Sequence, residues 1–181
     1  MKVASIHGRF QPFHNGHMKY AMAAMDLCDQ LYIGLTKVLP DELFHGKEHA
    51  PHRDLIDSNP FSYRERQEII DEAMKSAGVN AEQYRIGPFP IEDLRRLPEF
   101  WPLDSVCYTT IVDDWNLTKI DLLKKSGYQV GIVRDTPWTG KNFASGTQMR
   151  KLIRNDDKVW KLYVPLGAEK VISNITAQRK I

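Results

Sequence analysis

Cysteine is scarce: the chain of 181 residues has two, Cys28 and Cys107, far apart and with no CxxC spacing. That count excludes a disulfide-built scaffold and favours a reducing compartment. Each thiol lies in an apolar stretch and reads as a core residue. Long hydrophobic runs are missing too. No stretch approaches the roughly 18 apolar residues that a membrane span requires. The opening Met1-Lys2-Val3-Ala4-Ser5-Ile6-His7 also lacks the apolar run of a signal peptide. The expectation is a cytoplasmic protein with no membrane partner. An excess of one charge is equally absent, since 25 Lys and Arg face 23 Asp and Glu. A nucleic-acid binder shows a stronger basic excess. The balance is nevertheless uneven, with 12 basic and 15 acidic residues in 1–100 against 13 and 8 in 101–181. A mild basic bias of that kind fits a small anion.

What is present is an alternation of strand and helix signals. Lys2–Ile6 is a short apolar, β-branched run closed by Gly8 and Pro12. After Asn15, Met18, Ala21, Met22, Met25 and Cys28 recur at helical spacing, and Leu31–Thr36 is apolar again. Strand, helix and strand in so short a span predict a parallel βαβ unit. Lys37–Pro60 breaks the regularity and reads as a long loop or lid carrying His45, His49 and His52. No Cys or carboxylate at ligand spacing completes a metal site there, so no metal is expected on these histidines.

Ser62-Tyr63-Arg64-Glu65 is a capping box, and it starts a helix that Gly78 ends. Tyr84–Ile86, Ser105–Val112 and Gln129–Val133 read as three further strands, with a helix over Asp114–Ser126. A second capping box, Ser145-Gly146-Thr147-Gln148, precedes Met149, Leu152 and Ile153. Trp160–Val164 and Ala168–Ile175 read as closing helical segments. No repeat and no linker divides residues 1–181, which predicts one α/β domain with a parallel sheet.

Open parallel sheets bind ligands beyond the carboxyl ends of their strands. Two stretches fall there, His7–His17 and Asp135–Arg150. The first lacks the GxGxxG dinucleotide pattern, and Gly140-Lys141 lacks the upstream glycine of a Walker loop. His7–His17 offers instead imidazoles three residues apart, a glycine and Arg9 at a strand-to-helix turn. Together with the helix dipole, such groups donate several hydrogen bonds to phosphate oxygens.

Gly8-Arg9-Phe10-Gln11-Pro12-Phe13-His14-Asn15-Gly16-His17 resembles the signature loop of the nucleotidylyltransferase superfamily, in its archaeal-type nicotinamide-nucleotide adenylyltransferase form. Ser145-Gly146-Thr147-Gln148-Met149-Arg150 resembles the superfamily's second motif. Asn59-Pro60-Phe61-Ser62 with Glu65-Arg66 resembles the start of its middle helix. The resemblance runs from about Val3 to Ile175. It implies a Rossmann-like open parallel sheet with helices on both faces and a short helical C-terminal segment.

It also implies adenylyl transfer from ATP, with Mg²⁺, to nicotinamide mononucleotide, giving NAD and pyrophosphate, and a homo-oligomer. His14, His17, Arg9 and Arg150 are the implied catalytic residues. Gly8, Phe10, Gly16, Arg66, Arg134, Ser145, Gly146 and Thr147 are the implied nucleotide-binding ones. Asp93 and Trp101 resemble the acceptor segment, with Trp101 open to two roles, base stacking or core packing. Where the family has an asparagine, this chain has Leu97-Pro98. The alternatives are transfer of AMP or CMP to another phosphorylated small molecule, and a nucleotide-binding regulator without chemistry.

Overall fold

The apolar, β-branched runs become strands at the places their pattern predicts. In a computed structural model that describes residues 1–37, 56–112, 114–134 and 138–179, five strands form. They are β1 (Val3–Gly8), β2 (Gln30–Leu35), β3 (Tyr84–Pro88), β4 (Val106–Thr110) and β5 (Gln129–Arg134). All neighbours are parallel, in the order β3-β2-β1-β4-β5. The reading of Lys37–Pro60 as a lid, with His45, His49 and His52, lies mostly outside the described residues.

The helices are α1 (Asn15–Met25), α2 (Tyr63–Ser76), α3 (Asp114–Lys125), α4 (Gly146–Arg154) and α5 (Leu166–Arg179). Both sequence-read capping boxes form: the Ser62 and Ser145 hydroxyls accept from the backbone N–H of Glu65 and Gln148, whose side chains accept in return. Most ends shift by a few residues from expectation, and two departures have a visible physical setting. β4 ends at Thr110: the ladder bulges between Thr109 and Thr110, the Ile111 N–H still donates to the Arg134 carbonyl, and the Val112 N–H donates to Asn116 Oδ1 instead. The Trp160 segment is a 3₁₀ helix, Lys158–Tyr163, capped by the Asp157 carboxylate.

The described residues divide into two compact units. The first takes in Met1–Arg9, Tyr20–Pro51 and Glu82–Pro137, and so holds the whole sheet and α3. Its core gathers Phe89, Ile91, Leu97, Trp101, Cys107, Leu123 and Tyr128. Tyr20 is tied into the same unit, its hydroxyl donating to the Tyr108 carbonyl at 2.5 Å. The second unit takes in Phe10–Lys19, His52–Ala81 and Trp138–Ile181. There α2 buries Ile69, Ile70, Ala73 and Met74, and α5 buries Ala168, Val171, Ile172 and Ile175. The two helices approach closely at Gly167, where an added Cβ would lie 1.9 Å from the Glu72 carbonyl oxygen. Only a residue without a side chain fits there.

Candidate active site

The second unit assembles most of the residues singled out from the sequence. Its scaffold is the loop Phe10–His14. Phe10 takes a left-handed backbone conformation, φ 50°, which a residue with a Cβ adopts at some cost. Its buried ring meets Phe13 at 5.5 Å and the His17 ring edge-on at 4.9 Å. Gln11, 4% exposed, then clamps the loop to the start of α2. Its Nε2 donates to the Phe61 carbonyl at 2.8 Å and its Oε1 accepts from the Phe61 N–H at 2.9 Å. One turn into α2 lies Arg66, a guanidinium 2% exposed.

Two imidazoles stand on this loop in fixed tautomers. The Gly16 N–H donates to His14 Nδ1 at 3.2 Å, and the His14 N–H donates to His17 Nδ1 at 3.4 Å. With Nδ1 accepting, each neutral ring carries its proton on Nε2 and is a donor there. The rings stack at 3.7 Å and 23°. His14 is only half-buried, yet dense surroundings push its pKa down to about 4, so it is neutral at pH 7.

α4 supplies the third element. Arg150 Nη1 donates to the Gln11 carbonyl at 3.0 Å and Nη2 to Thr147 Oγ1 at 3.1 Å. A guanidinium has more N–H donors than these two bonds use. Burial and then Arg154 lower its pKa, a cost that a bound anion would offset. Ser145 and Gly146 stand at the start of α4, where the helix dipole favours negative charge. Asn15 Nδ2 holds the loop before α4, donating to the carbonyls of Asn142 at 3.0 Å and Leu162 at 3.2 Å.

This set gives donors and positive charge, and its hydroxyls are engaged, Ser145 accepting from the Gln148 N–H and Thr147 from Arg150. Neither Nδ1 retains a lone pair for abstracting a proton. Such groups are chemically suited to oxyanions and to charge that grows on them. It is also a poor metal cage, because Nε2–H and guanidinium groups are not ligands. Among the described residues, no group of three or more His, Cys, Asp or Glu is placed to hold a metal ion.

The remaining sequence-read residues belong to the first unit. Gly8 ends β1, its carbonyl accepting from the Thr36 N–H at 3.0 Å. Arg9 follows, half-buried. Arg134 ends β5, its carbonyl accepting from the Ile111 N–H at 2.7 Å. Asp93 is paired with exposed Arg95 at 2.8 Å. Trp101 is 3% exposed and stacks on Tyr32 with centroids 5.1 Å apart. Gln11 and Asn15 escaped the sequence reading as functional positions. Their partners lie 50 or more residues away, and the only signal for them was their place inside the signature loop.

Comparison with known proteins agrees with this chemistry. The cytidylyltransferase-like family model matches residues 6–155. A phosphonoformate cytidylyltransferase of Streptomyces viridochromogenes is 32% identical over 97% of this chain and 93% of its own. A nicotinamide-nucleotide adenylyltransferase of Picrophilus torridus is 31% identical, over 98% of this chain and 94% of its own. In fold, the chain is similar to a bifunctional NMN adenylyltransferase/ADP ribose pyrophosphatase of Francisella tularensis, with TM-score 0.70 and 17% identity. That likeness covers 97% of this chain and 50% of the larger protein. No helix among the described residues is long and apolar enough to cross a membrane. Parallel sheet, signature loop and second motif all agree with a family match over most of the chain, which therefore belongs to the cytidylyltransferase-like family of nucleotidyltransferases.

Proposed function

We propose that the chain transfers a nucleotidyl group from a nucleoside triphosphate to a small acceptor bearing a phosphate or phosphonate. The observation that carries this reading is the pair of stacked, neutral imidazoles with their Nε2–H groups, joined to Arg150 through Gln11. An oxygen of the acceptor attacks the α-phosphorus of the triphosphate. The bond from that phosphorus to the bridging oxygen breaks, and pyrophosphate leaves with the electron pair. The attacking oxygen is already anionic, so no proton has to move. That matches a site with donors and no base. Mg²⁺ enters bound to the triphosphate as part of the substrate, because the donor set described above does not ligate cations.

Two acceptor classes follow from the relatives. Trp101 favours a small, non-aromatic acceptor: its ring is committed to the core against Tyr32 rather than presented to a flat base. The similarity to a phosphonoformate cytidylyltransferase supports the same reading. Nicotinamide mononucleotide with ATP is the second reading, supported by the relative from Picrophilus torridus and the signature loop. The test is pyrophosphate release with CTP or ATP against phosphonoformate, methylphosphonate and nicotinamide mononucleotide, with products identified by mass. Turnover of the phosphonates is expected. Turnover of nicotinamide mononucleotide alone would establish the second reading, and none with any pair would overturn both.

A further inference from the structure

The two halves of the candidate phosphate site come from segments far apart in the chain. His14 and His17 lie in the signature loop, Gly146 and Arg150 in α4. Groups that share one polyphosphate act together only at a fixed spacing. One tie between the halves is itself part of the phosphate chemistry: Arg150 holds the Gln11 carbonyl with a guanidinium that also offers donors to an anion. A second tie is made by Asn15, one residue after His14. Its Nδ2 donates to the Asn142 carbonyl at 3.0 Å and to the Leu162 carbonyl at 3.2 Å. A primary amide has two N–H donors, and these bonds use both. Asn15 therefore has no donor left for a phosphate.

Two further contacts bring the segment before α4 onto the first turn of α1. That segment folds back at a turn, the Phe143 N–H donating to the Gly140 carbonyl at 3.2 Å. The Lys19 ammonium, one helical turn after Asn15, lies 5.2 Å from the centre of the half-buried Phe143 ring. The ring also comes close to Gly16, where an added Cβ would lie 4.0 Å from Phe143 Cδ1 and 3.1 Å from the His14 ring. Asn15, Gly16 and Lys19 thus seat the turn right beside an imidazole of the site. The Leu162 bond adds the 3₁₀ helix Lys158–Tyr163 to the same junction. Both Asn15 bonds lie at the surface, where water takes the place of a lost partner, so they add little stability. Their consequence is geometric.

We infer that Asn15 is a positioning residue for nucleotidyl transfer. It sets the turn before α4 against the signature loop, so that the two imidazoles and the start of α4 meet one triphosphate in register. This rests on the phosphate site proposed above. Asn15 itself touches no reacting atom, and the substrate cannot recruit its donors, so the tie persists while Arg150 serves the phosphates.

The test uses the full chain and Asn15→Leu, which keeps the size of the side chain and removes both donors, with Asn15→Ala as a second variant should the first fail to fold. With Mg·CTP and phosphonoformate, kcat/KM for CTP is expected to fall by about 10- to 100-fold, the scale of a small misplacement of reacting groups. KM for phosphonoformate and Tm should stay unchanged. An unchanged kcat/KM for CTP would overturn the inference, as would a KM for phosphonoformate raised by the same factor. A readout that needs no turnover separates it from the functional reading. Tripolyphosphate carries three linked groups like the substrate, and inorganic phosphate only one. Followed through the His14 and His17 ring signals in ¹⁵N spectra, tripolyphosphate should bind Asn15→Leu about 10-fold more weakly than the wild type, and inorganic phosphate equally well. Equal weakening of both anions, or of neither, sinks the role of Asn15 even if nucleotidyl transfer is found. The contrast between them upholds the role even if none of the triphosphates tried is turned over.

Discussion

At the scale of single residues, the proposed chemistry depends on imidazoles that donate hydrogen bonds rather than accept protons. In the proposed reaction His14 and His17 act through Nε2–H, not as bases, so their removal should cost rate more than stability. His17→Ala is expected to lower kcat by about 10²- to 10³-fold, as for loss of one donor to developing charge. Its lost contacts with Phe10 and Phe13 should cost only about 1–2 kcal/mol. Steady-state kinetics beside a denaturant titration separates the two effects, and equal losses would make the residue structural.

Neutrality also sets a pH dependence. His7 and His14 both titrate below their ordinary value of 6.5, His14 at about 4. Below pH 6.5 the unfolded chain takes up protons that the folded chain refuses, so stability is full above that value and falls as pH drops toward 4. Thermal melts across that range check the sign. His7→Phe should show a shallower fall, because one of the two reluctant groups is gone.

Between elements, the decisive contacts are the ones that join distant segments. Gln11 bonds both backbone groups of Phe61 through its side chain and Arg150 through its carbonyl, so it sets the loop against both α2 and α4. Gln11→Ala leaves the Phe61 N–H and carbonyl without these partners and is expected to cost about 2–3 kcal/mol, measured by chemical denaturation. The same change should reduce kcat, because the loop whose main-chain carbonyl seats Arg150 is then no longer clamped to α2. On the other side of α2, Gly167→Ala forces a methyl toward the Glu72 carbonyl and should cost about 1–3 kcal/mol by overpacking, with kinetics unchanged at temperatures where the variant is folded.

This is also the scale at which the sequence stops being readable. Both capping boxes and all five strands were legible, because each is written in a few neighbouring residues. The clamp of Gln11 on Phe61 was not, since nothing local to either residue specifies the other. Nor was the burial of Trp101, whose ring stacks on Tyr32, far away on β2. Val112 looked like a strand residue by composition, and only the competing Asn116 side chain takes its backbone N–H out of the ladder.

Over the whole molecule, the scarcities noted in the sequence acquire a reason. Near-neutral overall charge is compatible with binding a highly charged substrate because the binding groups are local and partly uncharged. In the proposed reading, two imidazoles and one guanidinium do what a broad basic surface does in a nucleic-acid binder. The signature loop and the Ser145–Arg150 motif identified the family from the sequence, and the family match covers both. The acceptor was less legible. The relatives the chain resembles act on different acceptors, and no single segment of the sequence chooses between them.

In the proposed reaction the nucleotidyl group passes directly to the acceptor, with no covalent intermediate on the protein. This is tested most directly by mixing the chain with Mg²⁺ and α-³²P-labelled CTP, with and without phosphonoformate, and following pyrophosphate and the label together. The expected result is pyrophosphate only when the acceptor is present, with all label in a product whose mass is acceptor plus CMP. Label fixed to the protein, or pyrophosphate released without acceptor, would contradict the account.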